Sequence, residues 1–116
     1  MEQQLKTPQA VKALAALAQD TRLAIYRMLV QQGPKGLSAG TIAERLDLPG
    51  ATLSFHLKEL AHAGMVESRQ DGRFVFYSAN YEQMNGLLGY LTENCCQGES
   101  CATECAPTPQ RKRKRA

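Results

Sequence analysis

All four cysteines of this 116-residue chain fall between Cys95 and Cys105. A structural disulfide framework would staple distant segments, so such clustering points instead to a metal or metalloid site. Thiolates are soft ligands and select soft ions. Structural zinc favours paired Cys-x2-Cys knuckles, whereas the spacing here is Cys-Cys-x4-Cys-x3-Cys. Trivalent arsenic or antimony takes three sulfurs in a pyramid with a lone pair at the apex. Adjacent residues on a regular helix point about 100° apart. Cys95 and Cys96 therefore converge only beyond a helix end, for which Asn94 and Gly98 are suited. The loop Gln97–Ser100 then returns Cys101 as a third ligand, with Cys105 as an alternative third ligand or a spectator. Two further readings stay open: a tetrathiolate Zn(II) or Cd(II) site using all four sulfurs, and a redox switch through disulfide formation.

A second group of residues suits nucleic acid. Between Asp47-Leu48-Pro49-Gly50, a breaker that combines a missing donor with backbone freedom, and Gly64 lies a helix of about 51–63. Leu53, Leu57 and Leu60 form its buried stripe. Ala51, Thr52, Phe55, Lys58 and His62 face outward, with Ser54 and His56 at the flanks. An outward face that is small and polar at its N-terminal half fits a major groove. Taken alone the helix is an ordinary amphipathic one; its neighbours give it meaning. A shorter helix, Thr41 to Leu46, precedes the breaker. A hairpin follows, with strands Met65–Arg69 and Phe74–Ser78 closed by Asp71-Gly72, a strong turn signal. That register sets Gln70 opposite Arg73, with Arg69 one step back, so two arginines at the tip can meet phosphates or the adjacent minor groove. The order from Gly40 to Asn80 is a helix-turn-helix with a wing, a DNA reader.

Other elements must hold these groups in place. Thr7-Pro8 is a helix start, with a hydroxyl at the N-cap and proline at the first helical position. Val11, Leu14, Leu17 and Ala18 then recur at helical spacing and are expected to face the core. Asp20 is expected to cap a second helix with Leu23, Tyr26, Leu29 and Val30 inward, ended by Gly33-Pro34. Asn80 caps a last helix carrying Tyr81, Met84, Leu87, Leu88 and Leu91. Paired with the first helix, it would form a two-fold dimer interface. A domain this small buries only about 60–70% of its unfolded surface, so a second subunit would help stabilise it. Net charge is +3, but Arg111–Arg115 alone carries five positive charges and leaves the remainder slightly acidic. Local pattern, not overall charge, must therefore decide nucleic-acid binding. No apolar run approaches the roughly 20 residues of a membrane span. MEQQLKTPQ lacks the basic start and apolar block of a signal peptide. A cytoplasmic location with reduced thiols is expected. The chain divides into a reading and dimerisation domain (1–94), a cysteine loop (95–105) and a basic tail (106–116). That tail either adds nonspecific phosphate attraction or is a solubilising disordered end.

The segment LDLPGATLSFHLKELAHAGMVESRQDGRFVFYSAN closely resembles the ArsR/SmtB family of bacterial winged-helix metal- and metalloid-responsive repressors, and ALAALAQDTRLAIYRMLV is similar to that family's opening helices. The resemblance spans roughly Val11 to Leu91, and its most specific part is Ser54–Gly64 followed by the short hairpin. It implies a mainly α fold with a β-hairpin wing. It also implies a homodimer that covers operator DNA and lets go when an inducer binds. Ser54 and His56 then lie on the recognition helix. The chain departs from the family at two known sensors. Ser38-Ala39-Gly40 stands where arsenic-responsive relatives often carry Cys-x-Cys, and the last helix has no histidine for a zinc-type site. Sensing thus falls to the C-terminal cysteines. The expectation is a repressor of a metalloid-resistance operon, with no constitutive cofactor. As(III) or Sb(III) at Cys95, Cys96 and Cys101 would induce release; a Zn(II)/Cd(II) or thiol-redox response is the alternative. The expected DNA-contacting residues are Ala51, Thr52, Ser54, Phe55, His56, Lys58, Arg69 and Arg73. An enzyme with a cysteine nucleophile would need an activating base or a phosphate-cradling loop beside the cluster, and His56 and His62 belong instead to the reading helix.

Overall fold

Alanines, rather than the larger apolar residues, set how the first helix packs. The computed structural model describes residues 5–98. Its elements are α1 (Thr7–Leu17), α2 (Asp20–Gln32), β1 (Leu37–Ser38), α3 (Ala39–Leu46), α4 (Gly50–His62), β2 (Val66–Asp71), β3 (Phe74–Ala79) and α5 (Tyr81–Leu91), followed by a short turn at Cys95–Gly98. On α1 the buried residues are Ala10, Ala13 and Ala16. Val11 and Ala18 are exposed, Leu14 is largely so, and Leu17 is half-buried, which corrects the expected inward stripe. Alanine's short side chain lets α1 approach α2 and α4 closely, and the bulkier residues are left on the outer side. On α2 the expectation holds for Tyr26 and Leu29, but Ile25 takes the place of Leu23, which is exposed, and Val30 is half-buried.

Helix starts also differ by a residue or two, each for a hydrogen-bonding reason. Lys6 is the N-cap of α1, its N–H donating to Gln9 Oε1 at 2.8 Å. The Thr7 hydroxyl, freed from capping, meets the Tyr90 hydroxyl of α5. Gln19, not Asp20, caps α2 by accepting from the Arg22 N–H at 2.9 Å. Ser38 caps α3 by accepting from the Thr41 N–H at 3.2 Å, so α3 begins earlier than Thr41.

The wing is a three-stranded antiparallel sheet of order β1-β3-β2, one strand more than the hairpin expected from sequence. Leu37 pairs with Tyr77. Gly36 makes this pairing possible: its φ is +75°, and a Cβ there would stand 2.2 Å from the Tyr77 carbonyl oxygen. Asp71 pairs with Phe74 and Gln70 with Val75, which corrects the expected Gln70–Arg73 pairing. The two-residue loop is therefore Gly72-Arg73. Gly72 has φ +65° while Arg73 keeps negative φ, the Gly-X pattern of a type II′ hairpin turn.

Asn80 joins wing, reading helix and α5. Its side-chain oxygen accepts from the Gln83 N–H at 3.1 Å, capping α5 as expected, and its amide donates to the Gly64 carbonyl at 3.0 Å. The core comprises Ile25, Leu29, Ile42, Leu53, Leu57, Leu60 and Met65, all fully buried, with Leu87 from α5. The Tyr81 hydroxyl donates to the Val30 carbonyl at 3.0 Å and fixes the start of α5 against the end of α2. Leu88 and Leu91 remain exposed, so the apolar residues of α5 divide between core and surface. Among the described residues no helix is long and apolar enough to cross a membrane.

Candidate nucleic-acid interface and thiol pair

The turn before α4 is built as a sharp reversal. Asp47 adopts a left-handed conformation (φ 54°, ψ 52°) at the end of α3, and Pro49 stands at the N-cap of α4 with Gly50 as its first residue. Leu53, Leu57 and Leu60, at spacings of four and three, sink into the core. Helical geometry then fixes what the opposite side presents: Ala51, Thr52, Ser54, Phe55, Lys58 and His62 are all exposed, and His56 is half-buried at the flank.

His56 is held from a distance in sequence. Arg22, on the first turn of α2, donates from Nε to the Ala16 carbonyl at the end of α1 at 2.8 Å. Its Nη1 lies 3.3 Å from His56 Nδ1. A guanidinium can only donate, so Nδ1 of the neutral ring accepts and Nε2–H is left as the donor that the ring can offer. The Phe55 ring stacks edge-on against His56, with centroids 5.5 Å apart. Arg22 therefore ties the end of α1 to the outer face of the reading helix. Sequence reading passed over both Arg22 and Gln19. Nothing local distinguishes Arg22 from any charged residue in the first turn of a helix.

On the wing, alternation of side chains places Glu67, Arg69 and Asp71 on one face, opposite Ser78, Phe76 and Phe74. The Arg69 guanidinium lies 5.1 Å from the centre of the Phe76 ring, a cation–π contact that holds it against the sheet. Arg73 sits in the turn itself, exposed at the tip beside Phe74, which is 61% exposed. The wing thus offers one anchored and one projecting cation. Thr52 and Ser54 hydroxyls, the Lys58 ammonium, His56 and the two arginines together can donate to phosphates and base edges.

A helix-turn-helix domain model matches residues 17–69. The transcriptional activator HlyU of Vibrio cholerae is 32% identical over 96 residues, covering 83% of this chain and 86% of that protein. The arsenical resistance operon repressor of Bacillus subtilis is 33% identical over 92 residues, covering 74% of this chain and 84% of that one. An ArsR-like transcriptional regulator from Rhodococcus sp. RHA1 superposes with a TM-score of 0.64 at 31% identity, covering 72% of this chain and 76% of the other. The chain belongs to the ArsR family of winged helix-turn-helix regulators. As a member of that family it is a DNA-binding transcriptional regulator and not an enzyme.

In this ArsR-family chain the cysteine segment begins where α5 ends. The Thr92 hydroxyl donates to the Leu88 carbonyl at 2.8 Å, and Asn94 turns the chain with φ +57°. Cys96 and Gln97 follow in left-handed conformations (φ 58° and 59°). This leaves Cys95 half-buried, Cys96 exposed and their sulfurs 3.7 Å apart. Two sulfurs sharing one tetrahedral ion with bonds of about 2.3 Å stand about 3.8 Å apart, so the pair is already near chelating distance. Cys101 and Cys105 lie outside the described residues, as does the basic tail. Among the described residues no group of three or more His, Cys, Asp or Glu side chains is placed to hold an ion.

Proposed function

We propose that the chain is a homodimeric repressor of a metalloid-resistance operon, released from its operator when As(III) or Sb(III) binds Cys95, Cys96 and Cys101. The observation that carries the thiolate chelate, whichever soft ion it takes, is the 3.7 Å separation of two vicinal sulfurs just past the end of α5. A third thiolate from Cys101, or from Cys105 in its place, completes a three-sulfur pyramid. The name of the Bacillus subtilis relative, an arsenical resistance operon repressor, supports the metalloid assignment.

Dimerisation uses α1 and α5. These helices meet through the Thr7–Tyr90 hydroxyls, and each exposes apolar side chains, Val11 and Leu14 on α1 and Leu88 and Leu91 on α5. A two-fold dimer sets its two α4 helices to reach successive major grooves about 34 Å apart. Thiolate bonding clamps the turn after α5 and biases the dimer toward a shape in which that spacing is lost.

The test is a gel-shift titration on the region upstream of the coding sequence, with arsenite, antimonite, Cd(II), Zn(II) and a thiol oxidant in separate arms. Arsenite should release the wild-type complex. Cys95→Ser and Cys96→Ser should bind DNA as the wild type does and stay bound in arsenite. Release by Cd(II), Zn(II) or oxidant but not by arsenite would replace the metalloid with that agent. Loss of DNA binding in the serine variants without any ligand would overturn the separation of reader from sensor.

A further inference from the structure

The outer face of α4 has an unusual content for a base reader. Its sequence, GATLSFHLKELAH, contains no arginine, asparagine or glutamine, and its one lysine, Lys58, lies in the second half, so no side chain of the N-terminal half reads guanine or adenine through two hydrogen bonds. The N-terminal half presents Ala51, Thr52, Ser54 and Phe55, all exposed. Phe55 is the one bulky group among them, and 56% of it is open to solvent. The ring offers apolar area that a partner can cover, at about 25 cal/mol per Å², while Leu53 and Leu57 beside it are buried. Its position is not left loose. The ring packs edge-on against His56 at 5.5 Å, His56 is held by Arg22 at 3.3 Å, and Arg22 is anchored on the Ala16 carbonyl at 2.8 Å.

We propose that Phe55 is a specificity-determining residue that packs on the 5-methyl group of a thymine in the major groove. Resting on the assignment of α4 as the reading helix, this makes operator choice depend on apolar contact with thymine, joined by the methyl groups of Ala51 and Thr52. The major groove exposes one methyl group per A·T pair, and Ala, Thr and Phe are the side chains that contact it. Hydroxyls of Thr52 and Ser54 accept or donate with either partner base and discriminate less. Sequence information on the N-terminal half of this face is therefore carried chiefly by shape and apolar contact.

The experiment removes the methyl group and nothing else. A high-affinity duplex is first selected from a random pool with the full-length protein. Each thymine in the protected region is then replaced in turn by deoxyuridine, and binding is titrated at fixed salt. Wild-type protein should lose about fourfold in affinity for one critical thymine, the equivalent of one buried methyl group, and about 15-fold when both half-sites are changed. At the thymine that Phe55 contacts, Phe55→Ala should bind the thymine and deoxyuridine duplexes equally, within twofold. Phe55→Leu, which keeps an apolar side chain, should retain at least half of the discrimination on a logarithmic scale. No sensitivity to deoxyuridine at any position, or the same sensitivity in Phe55→Ala, would overturn the proposal while leaving DNA binding intact. Failure to select any sequence would count against α4 as a base reader altogether. Sedimentation of Phe55→Ala should show the wild-type oligomeric state; dissociation would place the ring in a subunit contact and overturn the proposal as well.

Discussion

Replacing Arg22 with alanine should damage both stability and DNA binding, although Arg22 lies on α2. The substitution removes two contacts. The first is a charged donor 2.8 Å from the Ala16 carbonyl; hydrogen bonds to charged groups contribute about 1.5–3 kcal/mol. The second, 3.3 Å from His56 Nδ1, is longer and contributes about 0.5–1 kcal/mol. Arg22 is only half-buried, so water can replace part of the loss, and a total of about 2 kcal/mol is expected. For a domain of this size that lowers the melting temperature by roughly 8–16 °C. Denaturant unfolding followed by circular dichroism measures the loss. A double-mutant cycle with His56→Ala isolates the pair, whose coupling should be about 0.5–1 kcal/mol.

Two roles for Arg22 are separable. Lysine keeps the charge but offers a single compact ammonium, which cannot span the Ala16 carbonyl and the imidazole together. If Arg22 acts by clamping α4, Arg22→Lys should bind operator as poorly as Arg22→Ala, measured at a temperature where both are folded. If it acts only as a charge near phosphate, lysine should restore binding. A stability loss under about 0.5 kcal/mol in Arg22→Ala, or zero coupling with His56, would refute the clamp, since surface substitutions away from structural features stay within that range.

Three further outcomes can be checked directly. The Tyr26 hydroxyl is buried with no hydrogen-bond partner among the described residues, and burial, then the neighbouring Tyr81, pushes its pKa up to about 12. The unfolded phenol ionises near 10, so stability present below pH 10 falls by about 2 kcal/mol as pH rises to 12; Tyr26→Phe should lack that fall and be at least as stable at neutral pH. Leu88→Glu places a charge on the exposed apolar surface of α5 and should shift sedimentation from dimer to monomer, with operator affinity down more than tenfold; an unchanged dimer would move the interface elsewhere. Tyr90→Phe removes the hydroxyl that meets Thr7 and should bind DNA within twofold of wild type while needing about two- to fivefold more arsenite for release. An unchanged arsenite midpoint would exclude that link between α1 and α5.

The helix-turn-helix was legible because its signals are local. Asp47-Leu48-Pro49-Gly50 cannot continue a helix, and the leucine stripe of α4 has one reading at a period of 3.6. The exposure of Ala51, Thr52, Phe55 and Lys58 followed from that stripe alone. The packing of α1 was not legible, since ALAALA is apolar on more than one face and periodicity cannot choose between alanines and leucines. Only the neighbours decide, and they favour the smaller side chains at close approach. The hairpin register slipped because Asp-Gly and Gly-Arg are both acceptable two-residue loops. The pairing of Asp71 with Phe74 and of Leu37 with Tyr77 depends on Gly36 and on contacts distant in sequence. Arg22 was missed for the same reason: its two acceptors lie six and 34 residues away.

The proposed release of DNA has an energetic requirement that the arrangement of α5 can meet. Driving occupancy from nearly full to nearly empty takes a preference of about 5.5 kcal/mol for one dimer shape over the other, or about half of that per subunit. The Thr7–Tyr90 hydroxyl pair, on the surface, contributes about 0.5–1 kcal/mol and is too small to carry the switch. The leucines beside it are not. Covering or uncovering one leucine side chain changes the free energy by about 1.5–3 kcal/mol, and Leu88 and Leu91 lie within one turn of each other at the end of α5. Leu91 is four residues from Cys95, and the Thr92 hydroxyl already bonds back to the Leu88 carbonyl. A clamp that repositions this last turn needs to disturb about one leucine per subunit to reach the required preference. A sensor at the chain's periphery can therefore control the reading helix with no direct contact to it, provided that those leucines lie in the subunit interface.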